Sequence, residues 1–160
     1  MLRDGNLTIR RASPSDGAAL REVLYATFES TWLPNITDAA ANAVRAEGRP
    51  GAYVAERGQE FWVAERGGEV VGLVDCEDDF VNALHVRPSH ARTGVGSRLM
   101  DYAESVIEKR GFKAARLETD TFNTASQAFY AKRGYVEIDR YHDMEWNSGL
   151  TTILLRKPLG

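Results

Sequence analysis

Gly94 and Gly96 stand two residues apart between an apolar run that ends at Val86 and an amphipathic run that begins at Ser97. The segment Leu84-His85-Val86-Arg87-Pro88-Ser89-His90-Ala91-Arg92-Thr93-Gly94-Val95-Gly96-Ser97-Arg98-Leu99-Met100 reads as a strand, a glycine turn and a helix. A turn at a helix N-terminus presents backbone N–H groups that have no intrahelical acceptor, with the positive end of the helix dipole behind them. That arrangement binds phosphate. Glycine at both positions permits φ > 0 and a close backbone approach to a ligand. The turn lacks the third glycine of a dinucleotide fingerprint and the Gly-Lys-Ser/Thr of a nucleotide P-loop, which argues against those two classes.

The elements that must position this turn are legible from periodicity. Residues 7–10 alternate as a first strand, and Ser13 and Pro14 open a helix over 14–29 with Leu20, Val23, Leu24 and Phe28 on one face. Trp32-Leu33-Pro34-Asn35 breaks it, and Thr37 caps an alanine-rich helix that ends near Gly48, before Arg49-Pro50-Gly51 forces a turn. Strands over 61–65 and 70–74 flank the hairpin pair Gly67-Gly68. The next strand, 80–86, is apolar enough for burial on both faces. A helix follows over 96–110, then a strand over 114–119, a helix over 124–133, and a last pair over 136–146 and 150–155 joined by Asn147-Ser148-Gly149. The order β-α-α-β-β-β-α-β-α-β-β predicts one domain over 1–160, a mixed sheet covered by helices.

Bulk properties mainly exclude. The chain has 160 residues, a net charge of −3, 43% hydrophobic residues and one cysteine. The charge argues mildly against nucleic acid and is compatible with a cationic substrate. No apolar run approaches the ~20 residues of a membrane span, and the first residues lack a signal-peptide core. The single Cys76 fits a reducing cytoplasm and reads as a packing residue. His85, His90, His142 and Cys76 show no metal-ligand spacing, so no metal is expected.

The order strand, Val-x-Pro, Gly-x-Gly, helix, with Leu99 in the first helical turn, resembles motif A of the GNAT N-acetyltransferase superfamily. The family pattern begins with Gln or Arg where this chain has Ala91; His90 and Arg92 beside it are the side chains able to substitute. A second segment, Leu117-Glu118-Thr119-Asp120-Thr121-Phe122-Asn123-Thr124-Ala125-Ser126-Gln127-Ala128-Phe129-Tyr130-Ala131-Lys132-Arg133-Gly134-Tyr135, looks like the family's motif B. Asn123, Ser126, Phe129, Tyr130, Lys132, Gly134 and Tyr135 all fall in place, and the two motifs stand in the family's order. The Glu118–Asn123–Tyr130 spacing is closest to the branch of ribosomal-protein alanine N-acetyltransferases.

The resemblance implies a mostly antiparallel sheet of about seven strands, flanked by about four helices, whose two central parallel strands splay apart. It implies acetyl-CoA as co-substrate, with the pantetheine arm bonded to strand backbone at Leu84 and Val86. The pyrophosphate would be wrapped by Arg92, Thr93, Gly94, Val95, Gly96 and Ser97. Asn123 would bond the pantetheine amide or the helix start, and Tyr130 would protonate the departing sulfur. Glu118 is the expected general base, because a carboxylate on a central strand among apolar neighbours has a raised pKa. The acidic turn Glu77-Asp78-Asp79 is the competitor for that role, and His85, facing the other side of its strand, reads as packing.

Acceptor specificity in similar proteins resides in the first two helices, their loop and the final hairpin. Here Phe28, Glu29, Trp32 and Asp79, together with 141–146, put aromatics beside carboxylates, which suits a primary amine with an apolar flank. Small amines and peptide N-termini both remain open. So do two other readings, an acyl-CoA-binding sensor without turnover and a transferase of another acyl group. Dimers are common among similar proteins, and the C-terminal strands are the segment able to pair across one. No sequence feature demands it.

Overall fold

The computed structural model describes residues 6–142 and 150–160. Strand β1 (Leu7–Arg11) leads into α1 (Gly17–Thr27) through a single 3-10 turn, Pro14–Asp16. The Asp16 carboxylate accepts the Ser13 N–H at 2.7 Å and the Arg10 guanidinium at 2.8 and 3.0 Å, which fixes the angle between strand and helix. After Thr27 the helix widens into a π turn, Phe28–Trp32, and a 3-10 turn, Leu33–Asn35. Thr37 caps α2 (Asp38–Glu47) by accepting the Ala40 N–H at 3.1 Å.

The sequence misled at the next step. Arg49-Pro50-Gly51 opens a helix, α3 (Arg49–Arg57), rather than a turn. The reversal is made by Gly48 alone, at φ +60, and the proline fits the first helical turn, where its missing N–H costs nothing. Among the described residues there are therefore five α-helices, against the expectation of about four.

Strands β2 (Trp62–Arg66), β3 (Glu69–Glu77) and β4 (Phe80–Val86) form a meander; α4 (Val95–Lys109), β5 (Ala114–Asp120), α5 (Thr124–Lys132), β6 (Val136–His142) and β7 (Thr151–Pro158) complete the fold. The strand expected to reach residue 146, its connection through Asn147-Ser148-Gly149 and the acceptor candidates at 143–146 lie outside the described residues. The sheet order is β1-β2-β3-β4-β5-β7-β6, antiparallel throughout except for β4 against β5.

Two cores follow from the alternation of side chains across the sheet. On one face Leu20, Val23, Leu24 and Val54 of α1 and α3 cover Phe61, Val63, Val70 and Leu73. On the other, Val95, Leu99, Met100, Ala103 and Ile107 of α4 cover Val71, Val74, Cys76, Ala115 and Leu117. The doubly buried strand is β3, not β4. From Ala83 to Val86 strand β4 is only half-buried, because its neighbour leaves it.

That departure is the feature of the fold that matters most for function. β4 and β5 pair only at Phe80↔Arg116 and Val81↔Leu117. Against β3, meanwhile, β4 skips a residue at Asn82, since Cys76 faces Val81 and Asp75 faces Ala83. The bulge sharpens the local twist, and the two parallel strands diverge toward their C-terminal ends.

Candidate active site

Three segments meet at the open end of the gap between β4 and β5. The first is β4 itself, whose Leu84 and Val86 pack toward the α4 core while one backbone edge has no strand partner beyond Val81 among the described residues. The second is the glycine turn. Arg92 at φ +61 and Gly94 at φ +89 carry the chain into α4, and the Gly94 carbonyl accepts the Arg98 N–H at 3.1 Å as the first bond of the helix. The N–H groups of Val95, Gly96 and Ser97 are left without intrahelical acceptors. Arg92, Thr93, Gly94 and Ser97 are exposed, whereas Val95 anchors the turn in the core.

The third segment is α5. A Cβ on Gly96 would lie 3.6 Å from the Phe129 ring and 3.8 Å from Val86, so α5 and β4 both approach the turn there and a larger side chain would fill the space between them. Phe129 packs edge-on against Tyr130 at 5.1 Å, and Tyr130 packs edge-on against Tyr135 at 5.6 Å. Tyr130 is 8% exposed, and burial pushes its phenol well above the usual tyrosine range, with Arg133 opposing. The phenol is therefore fully protonated at neutral pH. Arg133 ties α5 back to the turn by donating to the Ser97 carbonyl at 3.4 Å and to Asp101 and Glu104 of α4. Glu104 also accepts from Tyr135 and Lys157, which fixes the height of α5 over α4.

Asn123 caps α5. Its Oδ1 accepts the Ser126 N–H at 3.1 Å, the helix-start role among the two foreseen for it. Ser126 in turn meets the Thr119 hydroxyl at 2.8 Å, and Gln127 donates to the carbonyls of Asp120 and Thr121. The loop from β5 to α5 is thus held by its own side chains.

Glu118 departs from expectation. It is exposed, because its sequence neighbours Leu117 and Thr119 point to the α4 face while Glu118 shares the opposite face with Arg116. Its charge helps hold the Arg116 guanidinium in the charged form. The enclosed, desolvated carboxylate foreseen from the sequence is therefore corrected to a solvated one. Asp79 is engaged by Arg116 through two contacts at 2.8 and 3.1 Å, at the closed end of the gap, so an incoming cation has little charge left to match. Asp16 and Asp120 are buried, and the most deeply buried carboxylate among the described residues is Asp75, which accepts from Tyr53, from Nε and Nη2 of Arg57, and from Asn82. These contacts hold it below the ordinary carboxylate range and seat α3 on the sheet.

The other acceptor candidates separate. Phe28 is buried, and Glu29 faces outward into an open cleft with Arg21, Tyr25 and Arg87. Trp32 crosses instead to the β5–α5 loop and meets Phe122 edge-on at 5.7 Å. His85 Nδ1 lies 2.8 Å from Thr27 Oγ1 of α1, and burial lowers its pKa to about 4, so the ring is neutral. Cys76 is buried with its thiol pushed up, as a packing residue. Among the described residues no group of three or more side chains is arranged to hold a metal, and no helix is long and apolar enough to cross a membrane.

Sequence reasoning missed two contacts to the turn. Arg66, at the end of β2, donates to Thr93 Oγ1 at 3.0 Å and to the Thr93 carbonyl at 3.5 Å. His90, one of the two expected substitutes beside Ala91, lies 3.6 Å from Glu69. Hairpin and turn are far apart in the chain, so no local pattern announces either contact.

A mixed sheet with one splayed parallel pair, and a glycine turn opening the helix that follows, defines a fold for holding an extended phosphate-bearing cofactor. The chain belongs to the acetyltransferase (GNAT) family, whose model matches residues 18–135. It is 28% identical over 142 residues to the uncharacterized N-acetyltransferase YhfO of Bacillus subtilis, covering 82% of this chain and 91% of that one. A GCN5-related N-acetyltransferase from Rhodopseudomonas palustris superposes with a TM-score of 0.81 at 24% identity over 99% of both chains. The PaiA N-acetyltransferase of Thermoplasma acidophilum, solved in complex with coenzyme A, does so with a TM-score of 0.75 at 18% identity, over 95% of this chain and 98% of that one. Acetyl transfer from acetyl-CoA is the activity that this membership carries.

Proposed function

We propose that this protein acetylates a primary amine, of a small molecule or a peptide N-terminus, by direct attack on acetyl-CoA in a ternary complex. The observation that carries this reading is the crowding of Phe129 and Val86 around Gly96, with the Tyr130 ring packed on Phe129, which supports a coenzyme thioester lying near Tyr130. In this arrangement the diphosphate sits on the amides of 92–97, and the pantetheine arm extends along Leu84 and Val86. The thioester then reaches the splay point. The amine nitrogen attacks the carbonyl carbon, the C–S bond breaks, and the Tyr130 proton passes to the leaving sulfur. The same burial that raises the phenol also disfavours a thiolate, so the step exchanges one buried anion for another. The surplus proton on the amine goes to Glu118 or to water beside it. Solvent access at Glu118 makes either route chemically sufficient.

The edge-on pair of Trp32 and Phe122, joining the segment after α1 to the β5–α5 loop, supports an acceptor with an apolar flank next to its amine. The test is thiol release from acetyl-CoA across a panel of amines. A catalyst shows amine-dependent release that falls about a hundredfold in Tyr130→Phe, the scale of a lost general acid. Coenzyme binding without release from any amine would mean a sensor instead, and release only with another acyl-CoA would reassign the donor.

A further inference from the structure

Ala91 leaves the turn without a polar side chain at the place where the family pattern has one. Five basic side chains lie near enough to be considered. Arg133 reaches the Ser97 carbonyl but is neutralised by Asp101 and Glu104. His90 is 3.6 Å from Glu69. Arg98 lines the cleft between β1 and α4. Arg92 is exposed on a left-handed residue. Arg66 alone is directed at the turn by two contacts, to the hydroxyl and the carbonyl of Thr93, the residue between the two left-handed positions.

We propose that Arg66, reaching over from the β2–β3 hairpin, is a coenzyme-binding residue whose guanidinium meets the diphosphate of acetyl-CoA on the glycine turn. A guanidinium is always charged and carries five N–H donors in a planar fork, the geometry that matches phosphate oxygens. The amides of the turn supply dipoles, and Arg66 adds the full positive charge that Ala91 cannot. Anchoring on Thr93 holds the side chain beside the turn before the ligand arrives, which lowers the ordering cost of binding. The proposal rests on the coenzyme reading above and adds to it a residue outside both family motifs.

The test is calorimetric titration of CoA into the wild-type protein, Arg66→Gln, Arg66→Lys and Thr93→Val, with melting curves to confirm that each variant is folded. Loss of one charge-assisted contact raises the Kd in Arg66→Gln about tenfold. Arg66→Lys recovers part of it, and Thr93→Val, which removes the hydroxyl half of the anchor and the hydroxyl's bond to the His90 carbonyl but keeps the charge, costs less than Arg66→Gln. The same ratio holds with dephospho-CoA, which lacks the 3′-phosphate. In turnover, the KM for acetyl-CoA rises in Arg66→Gln while kcat stays near wild type. The proposal is overturned if Arg66→Gln binds like wild type or if Thr93→Val matches it, the sign of a purely structural latch. A ratio that vanishes with dephospho-CoA overturns it too, by moving Arg66 to the 3′-phosphate. A folded wild-type protein that does not bind CoA at all fails the coenzyme reading itself, a result distinct from these.

Discussion

At the scale of single residues, His85 gives a prediction independent of the chemistry. Burial lowers its pKa from the usual 6.5 to about 4, so between those values the unfolded chain takes up a proton that the folded chain refuses. Stability from this source is complete above pH 6.5 and is lost as the pH falls toward 4, by at most about 3 kcal/mol. Urea denaturation across that window should show a steeper slope in wild type than in His85→Gln, which keeps only the part due to Asp16, Asp75 and Asp79 near the acid end; equal slopes would assign the whole loss to those groups. The glycine turn was legible in the sequence because the signal is local, a strand, two glycines and a helix within one segment. Arg66 was not, since its contact lies 27 residues away from it along the chain. Glu118 was misjudged for a related reason. Its apolar neighbours in sequence occupy the other face of β5, so adjacency in the chain gave the wrong surroundings.

At the scale of elements, glycines separate close packing from open helix. A Cβ on Gly72 would stand 3.0 Å from the His85 carbonyl, Leu99 and Val95. Gly72→Ala should cost about 2 kcal/mol as an overpacked contact, seen as a lower denaturation midpoint. Because Val95 is the first residue of α4, it should weaken CoA binding as well. In α3 a Cβ on Gly51 meets only the Arg21 side chain at 3.7 Å. Gly51→Ala should therefore stabilise by about 0.5–1 kcal/mol, the usual gain from replacing glycine inside a helix. α3 itself shows the limit of pattern reading, since Pro50 breaks a helix in the middle and starts one at its front. The strands and α4 were readable because each buries one face against a neighbour, and burial imposes a period. The Trp32 segment obeys no such period, for it passes through π and 3-10 turns in succession.

For the whole molecule, the sheet consists of two parts, β1 to β4 and β5 to β7, joined by two residue pairs and bridged by α4. The splay itself could only be expected from the family resemblance, because the Asn82 bulge and the short β4–β5 register are properties of pairing that no single strand reveals. Coenzyme at a hundredfold excess over its Kd should add about 2.7 kcal/mol to the unfolding free energy. Hydrogen exchange should slow most at 83–86 and at 92–97, and a uniform slowing would argue against strand-like binding. A sheet with one rung left out should resist proteases better once the coenzyme proposed above supplies that rung. Limited proteolysis should therefore slow when CoA is added, and an unchanged rate would mean that the missing rung is not filled.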